Sequence, residues 1–349
     1  MTVNKLTSLQ RVLTTMGHQE PDRVPLFLFP TMHGAKELGL SLKAYFSKPE
    51  NIVEGQLRLL KKYRYDCVTA FHYAALDVEA WGANVTYSDD GPVTAGSPII
   101  KKPEQISELQ LPDIKNNPSL KKVLIATEKL KAKVGDETPI IGVVISSFSL
   151  PIMQMGFEGY LNLLFENRDL FDRLMKLNQA FCVSWANAQL EAGATAIVYF
   201  DPVSSPTIIQ KEVYLETGYK IALQTLPKIN GPVAIHFASG NCLQIAEQVI
   251  DTGAQGVGVS TLEYLGDLKT AFEGKVTIIG NLNGVDMINW TPEKAESIVK
   301  DTIAKAASGG GFILSDNHGE IPFQVTDDIL MSISSAVKKW GKYPLNRVK

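Results

Sequence analysis

The chain has 349 residues, 45% hydrophobic and 20% charged, with a formal net charge of −3, the balance of an ordinary globular protein rather than a disordered or fibrous one. It has no basic run to suggest a nucleic-acid partner, and no apolar stretch near the ~18 residues that a membrane span needs. The 3 cysteines, Cys67, Cys182 and Cys242, are odd in number and far apart, so a disulfide framework is not expected.

The N-terminal stretch Met1-Thr-Val-Asn-Lys-Leu-Thr-Ser lacks an apolar signal core, which together with the cysteine usage leads us to expect a cytoplasmic protein. Leu6 to Met16 reads as an amphipathic helix and Val24 to Phe29 as a first strand, closed by Pro30. A helix is expected over Asn51 to Arg64, and a second strand ends at Phe71. Residues 83–115 break the rhythm with Asn84-Val-Thr-Tyr87, Asp89-Asp-Gly-Pro92 and three further prolines, and read as a β-hairpin excursion within one domain spanning 1–349. A charged helix follows from Ser119 to Val134, then a third strand, Pro139 to Ile145. Two helices are expected over 151–192, a fourth strand reaching Phe200, a helix over Lys211 to Leu226, and a fifth strand reaching Ile235. Strands six, seven and eight end near Ser260, Gly280 and Leu314, and a last helix spans Asp327 to Trp340. Eight strands separated by helices predict an α/β fold, a (β/α)8 TIM barrel with an N-terminal helical extension. The rival doubly wound sheet would more often show a glycine-rich fingerprint after its first strand, and Phe29-Pro-Thr-Met-His33 has none.

Several strands stop at groups able to do chemistry, and barrel active sites lie at strand C-termini. His236 ends the fifth strand and is a candidate metal ligand or general acid, the alternative being a hydrogen-bonded core histidine. Asp201 ends the fourth strand as a metal ligand, a charge partner or a loop cap. Glu216 is either a ligand or a solvated acid on a helix face. Together Asp201, Glu216 and His236 make a donor set that Zn²⁺ accepts. Asp316-Asn-His318-Gly-Glu320, after the last strand, is the densest polar cluster: His318 and Glu320 are catalytic candidates, and Asp316 a substrate contact. His72, Tyr73 and Asn281, at the ends of the second and seventh strands, are further substrate-binding candidates. No Gly-x-Ser-x-Gly elbow, His-Glu-x-x-His or P-loop is present, so the chain offers no activated nucleophile of its own.

The opening Arg11-Val-Leu through Pro21-Asp-Arg23-Val-Pro-Leu26, with Glu79-Ala-Trp-Gly82, Asp201-Pro-Val-Ser-Ser-Pro206, Ile279-Gly-Asn-Leu282 and Ile313-Leu-Ser315, resembles in order the uroporphyrinogen decarboxylase superfamily. That superfamily includes methyltransferases that move methyl groups onto or off corrinoid proteins, and its fold is a (β/α)8 barrel. The chain departs from the decarboxylases. Their arginine-rich signature is replaced by Leu26-Phe-Leu-Phe-Pro-Thr-Met-His33-Gly, and Tyr73 stands where their essential aspartate is expected. It also departs from the coenzyme M methyltransferases, since His236-Phe-Ala238 and Asn317-His318 lack both thiolate ligands.

The resemblance is nearest to the methyltransferase component of aryl-ether O-demethylases, of veratrol or vanillate type, whose zinc can be held by two carboxylates and a histidine. It implies zinc as cofactor, cobalamin supplied by a partner corrinoid protein, and a small aromatic methyl ether as substrate. The corrinoid partner leads to an expected exposed apolar rim around the 83–115 excursion. Methylamine, methylthiol or betaine donors stay open, the last through a cage of Phe71, Tyr73 and Trp81, as does porphyrinogen decarboxylation.

Overall fold

The structure is a computed structural model that describes residues 6–345. In chain order its strands are β1 (Val68–Thr69), β2 (Val85–Thr86), β3 (Thr94–Ala95), β4 (Ile140–Ile145), β5 (Ala196–Phe200), β6 (Val233–His236), β7 (Gly256–Gly258), β8 (Thr277–Leu282) and β9 (Phe312–Asp316). Seven of them form one all-parallel sheet in the order β1-β4-β5-β6-β7-β8-β9. Sequential strands are neighbours and helices make the crossovers, as a barrel requires. β2 and β3 pair antiparallel as the hairpin expected within 83–115.

The eighth stave is the segment around Leu26, and it is irregular. Leu26 bridges Leu314 of β9 in parallel sense. Phe27 N–H donates to the Leu314 carbonyl at 2.9 Å, and Asp66 N–H, just ahead of β1, to the Leu26 carbonyl at 2.7 Å. The segment therefore joins the two sheet edges and closes the ring. A regular strand cannot form over Val24 to Phe29. Pro25 has no N–H to donate, and the Leu26 N–H is taken by the Asp66 carboxylate at 2.8 Å.

Helix Ser8–Met16 closes the barrel's N-terminal end. Thr7 and Gln10 form a capping box at its start. Its residues Leu9, Val12 and Met16 lie against Phe27, Ile141, Ala234, Ile279 and Ile313 of the lower interior. The helix is bolted there by charge. Arg11 pairs with Asp22 at 2.6 Å and with Asp66 at 2.7 Å, and Arg23 reaches the other Asp66 oxygen at 2.7 Å.

Two expected helices are broken. Residues 151–192 form three helices, Pro151–Met155, Phe157–Glu166 and Arg168–Glu191, because Gly156 takes a left-handed φ of 80° between the first two. The expected Lys211–Leu226 helix divides at Thr217 into Lys211–Glu216 and Gly218–Thr225. The last helix spans Asp327–Trp340 as read from the sequence.

Candidate active site

Side chains alternate along a strand. Ala234 and Ile313 line the lower interior, so His236 and Ser315, two residues further along β6 and β9, face the same interior nearer the mouth. His236 pairs in register with Phe200 and Gly258. A Cβ on Gly258 would stand 2.3 Å from the His236 ring, so glycine there is what makes room for the imidazole. Phe200 packs against that ring at a tilt of 31°, with centroids 4.5 Å apart.

Beyond Phe200 a cavity of about 310 Å³ opens at the mouth. Its walls are mostly apolar, from Phe71, Ile145, Ile152, Met153, Phe200 and Val203, and its polar groups are Ser149, His318 and Glu320. These residues end or follow β1, β4, β5 and β9, at the carboxyl face where barrel active sites lie. No Lys or Arg side chain is among its lining residues.

Two of the candidate catalytic residues, Glu320 and His318, line this cavity. Glu320 accepts a hydrogen bond from the Thr31 hydroxyl at 3.3 Å. Burial, helped by the nearby Asp316, raises its carboxyl to about 7. His318 lies beside it, with Nδ1 free of protein partners and its pKa lowered by burial. Asp316 is fully buried and shapes the loop: its oxygens accept from Phe29 N–H at 3.0 Å and Gly319 N–H at 3.2 Å, and burial raises its pKa to about 6.

The other candidates sit elsewhere. His72 is buried, packed on Phe46, and donates its Nδ1–H to the Ala70 carbonyl at 2.8 Å. Tyr73 donates to Glu79 at 2.7 Å and receives a bond from Tyr87 at 3.3 Å, tying the hairpin to the barrel. Neither lines the cavity: His72 is taken up by Ala70 and Phe46 and Tyr73 by Glu79 and Tyr87, while Phe71 and Ala74 on either side of them do line it. Asn281 donates to the Ser260 carbonyl at 3.0 Å and orders the loop after β7. The aromatic cage is likewise not assembled: Phe71 lines the cavity, whereas Trp81 packs on Phe181.

The expected zinc set does not come together. Glu216 lies on the outer surface in an ion pair with Lys220, because the helix break at Thr217 leaves it on a short solvated turn. The Asp201 carboxylate is buried and held by the hydroxyls of Ser146 at 2.5 Å and Ser149 at 2.7 Å, a tie between the ends of β4 and β5. His236 Nδ1 accepts the Ala238 N–H at 2.9 Å, which leaves the ring proton on Nε2, a nitrogen buried without a protein partner. A metal-bound histidine has the opposite polarity, a lone pair on the coordinating nitrogen and an N–H on the other. Among the described residues no cluster of three His, Cys, Asp or Glu side chains could hold a metal ion. The residues present do not fit zinc at this position.

The sequence reading missed Ser149 and Met153, which line the cavity. Asn317 is 1% exposed, and both its amide atoms lack a protein partner.

Known proteins place this architecture. A methyltransferase from Methanosarcina mazei shares the fold with a TM-score of 0.85 at 18% identity, over 96% of this chain and 99% of that one. A uroporphyrinogen decarboxylase of Coxiella burnetii is 22% identical over 89% of this chain and 90% of its own length. A methylcobamide:CoM methyltransferase, MtaA, of Methanosarcina barkeri is 23% identical over 94% of this chain and 96% of its own. The uroporphyrinogen decarboxylase (URO-D) sequence profile matches residues 7–340, and with nearly the whole barrel inside that match, the chain belongs to the uroporphyrinogen decarboxylase family.

Proposed function

We propose that this protein takes the methyl group from a phenyl methyl ether, of veratrol, guaiacol or vanillate type, and passes it to the cob(I)alamin of a separate corrinoid protein. The observation that carries this reading is the mouth cavity, an apolar chamber without a cationic side chain that holds one carboxyl near neutrality. Such a chamber suits a small uncharged aromatic ether, and suits veratrol or guaiacol better than the charged vanillate. A methylcobamide-using relative supports the corrinoid partner.

The chemical obstacle is the leaving group. As the methyl carbon passes to its acceptor, the C–O electron pair stays on the aryl oxygen, and a proton delivered there turns an aryloxide into a phenol. Glu320, with its pKa near 7, is protonated in a good fraction of molecules at neutral pH and can deliver it. No step is assigned to zinc. Exposed Leu262, Tyr264, Val285 and Ile288 stand on the loops after β7 and β8, at the same end of the barrel, and offer the partner an apolar face. The rim expected around the 83–115 excursion is not there. Of its large apolar residues Leu111 is exposed, while Val93, Ile100 and Ile106 are buried, because the hairpin spends its apolar side chains on the barrel.

Relatives named for uroporphyrinogen decarboxylation support a second reading. A substrate with many carboxylates needs cationic partners. Arg11 and Arg23 are engaged by Asp22 and Asp66 at the closed end, and the cavity offers none. The test is to mix the purified protein with reduced corrinoid protein and a panel of aryl methyl ethers, with uroporphyrinogen in a parallel assay. Methylcobalamin absorbance is expected with veratrol or guaiacol. Its absence across the panel, or porphyrinogen turnover, rejects this reading.

A further inference from the structure

Glu320 owes its place in the cavity wall to a short loop that is fastened on both sides of it. The N–H of Gly319, the residue before, donates to Asp316 Oδ2 at 3.2 Å, and the N–H of Ile321, the residue after, donates to the Phe29 carbonyl at 3.0 Å. Phe29 returns a bond, its own N–H donating to Asp316 Oδ1 at 3.0 Å. Each Asp316 oxygen therefore takes one backbone N–H, one from the eighth stave and one from the loop. Gly319 has a positive φ of 91°, and a Cβ there would stand 2.4 Å from the Phe200 ring, so the loop is also pressed against the wall of the cavity.

The carboxyl itself is held by one bond, from the hydroxyl of buried Thr31 to Oε1 at 3.3 Å. Thr31 lies two residues beyond Phe29, so the segment that anchors the loop also grips the side chain. Among the described residues no donor reaches Oε2. Two neighbours act on the Glu320 proton in opposite senses. A hydroxyl donated to the carboxylate favours the charged form, whereas the negative Asp316 close by disfavours it. The other titratable groups around the loop are neutral or engaged elsewhere. His318, with Asp286 as its charged neighbour, is kept neutral by burial; His33 meets the Val325 carbonyl; Asp201 is held by Ser146 and Ser149; and no Lys or Arg lines the cavity. We propose that Asp316 and Thr31 are positioning residues for Glu320: Asp316 holds the loop that presents the carboxyl to the cavity and, by its own charge, keeps the proton on it, while Thr31 fixes Oε1 so that the proton is carried on Oε2. This deepens the reading of Glu320 as the acid that protonates the departing aryl oxygen, and rests on it for that role.

The proton can be read directly from the side-chain carboxyl signals of ¹³C-labelled glutamate, titrated between about pH 5 and 9, with Glu320 identified by the signal lost in Glu320→Gln. Asp316→Asn keeps an acceptor for one N–H but removes the charge, and the Glu320 midpoint is expected to fall by about one pH unit. Thr31→Val fills the same space without the hydroxyl and is expected to raise the midpoint by about half a unit, the effect of one modest hydrogen bond, and Thr31→Ser to restore it. Methyl transfer from guaiacol to reduced corrinoid protein, followed over the same range, is expected to shift its alkaline limb in the same two directions. A role confined to packing would lower stability and leave both midpoints in place. Unchanged midpoints, or two shifts of the same sign, overturn the proposal, and Thr31→Val decides alone if Asp316→Asn does not fold. Opposite shifts in the spectra without methyl transfer would reject the proposed function and leave the setting of the Glu320 proton standing; methyl transfer without those shifts would do the reverse.

Discussion

Under the proposed function, Glu320 concentrates the chemistry at the level of single side chains. Its raised pKa has two readable consequences. Under the proposed function the protonated form is the active one, so kcat/KM falls as pH rises through about 7. Glu320→Gln lowers the rate by about 10²-fold or more and flattens that pH profile, which steady-state assays between pH 5.5 and 9 would check. The same shift sets a stability trend. A carboxyl whose folded pKa lies above its unfolded value of about 4.3 favours the fold fully below that value, and loses the contribution as pH rises through the folded pKa. Urea denaturation should therefore find the unaltered protein losing ground to Glu320→Gln between about pH 4 and pH 7. A third test at this level concerns Gly258. Adding a Cβ 2.3 Å from the His236 ring forces the imidazole to move. Gly258→Ala should cost about 1–3 kcal/mol of stability, the range for overpacking a filled interior, read as a lower midpoint in the same denaturation experiment.

Among the elements, the N-terminal helix matters most to what the barrel can be. Helix Ser8–Met16 stoppers one end, and the Arg11–Asp22–Asp66–Arg23 cluster fastens it while supplying the bond that a regular eighth strand would have made to Leu26. Removing one partner of such a buried cluster leaves uncompensated charge. Asp66→Asn should cost about 3–5 kcal/mol, seen as a lower urea midpoint with an unchanged m-value. A shift under 1 kcal/mol would mean that the cluster is dispensable. The β2–β3 hairpin is held to the barrel through the bond from Tyr87 to Tyr73, a residue that the sequence alone points to as a substrate contact.

For the whole molecule, closing one end of the barrel leaves the cavity of the carboxyl face as the open one, where the proposed function puts both ligand and partner. If the exposed Leu262 and Tyr264 meet the corrinoid protein, placing charge there should slow transfer without touching the cavity. The double substitution Leu262→Asp with Tyr264→Asp is expected to cut the transfer rate at low corrinoid-protein concentration by about tenfold or more, with guaiacol affinity unchanged by calorimetry. An unchanged rate would move the docking surface elsewhere on that face.

Strand positions, the hairpin and the last helix were readable along the chain because they are local. Apolar runs of period two, the turn signals around Asp89-Asp-Gly-Pro92, and the alternation of runs with helical stretches each reflect neighbours a few residues apart. The cluster 316–320 was legible for the same reason, a dense polar run directly after an apolar strand. Residue type and spacing do not say which way a side chain turns once its strand has ended, or which neighbour reaches it first. Asp201 was claimed by two serines from the adjacent strand end, Tyr73 by Glu79 and Tyr87, and Glu216 by solvent after a helix break. The His236 proton was assigned by a backbone N–H two residues on, through a left-handed turn that the sequence does not announce. Short-range pattern therefore specified the barrel and located its mouth, whereas contacts between residues distant along the chain chose which polar groups were consumed in holding it together and which were left without a protein partner.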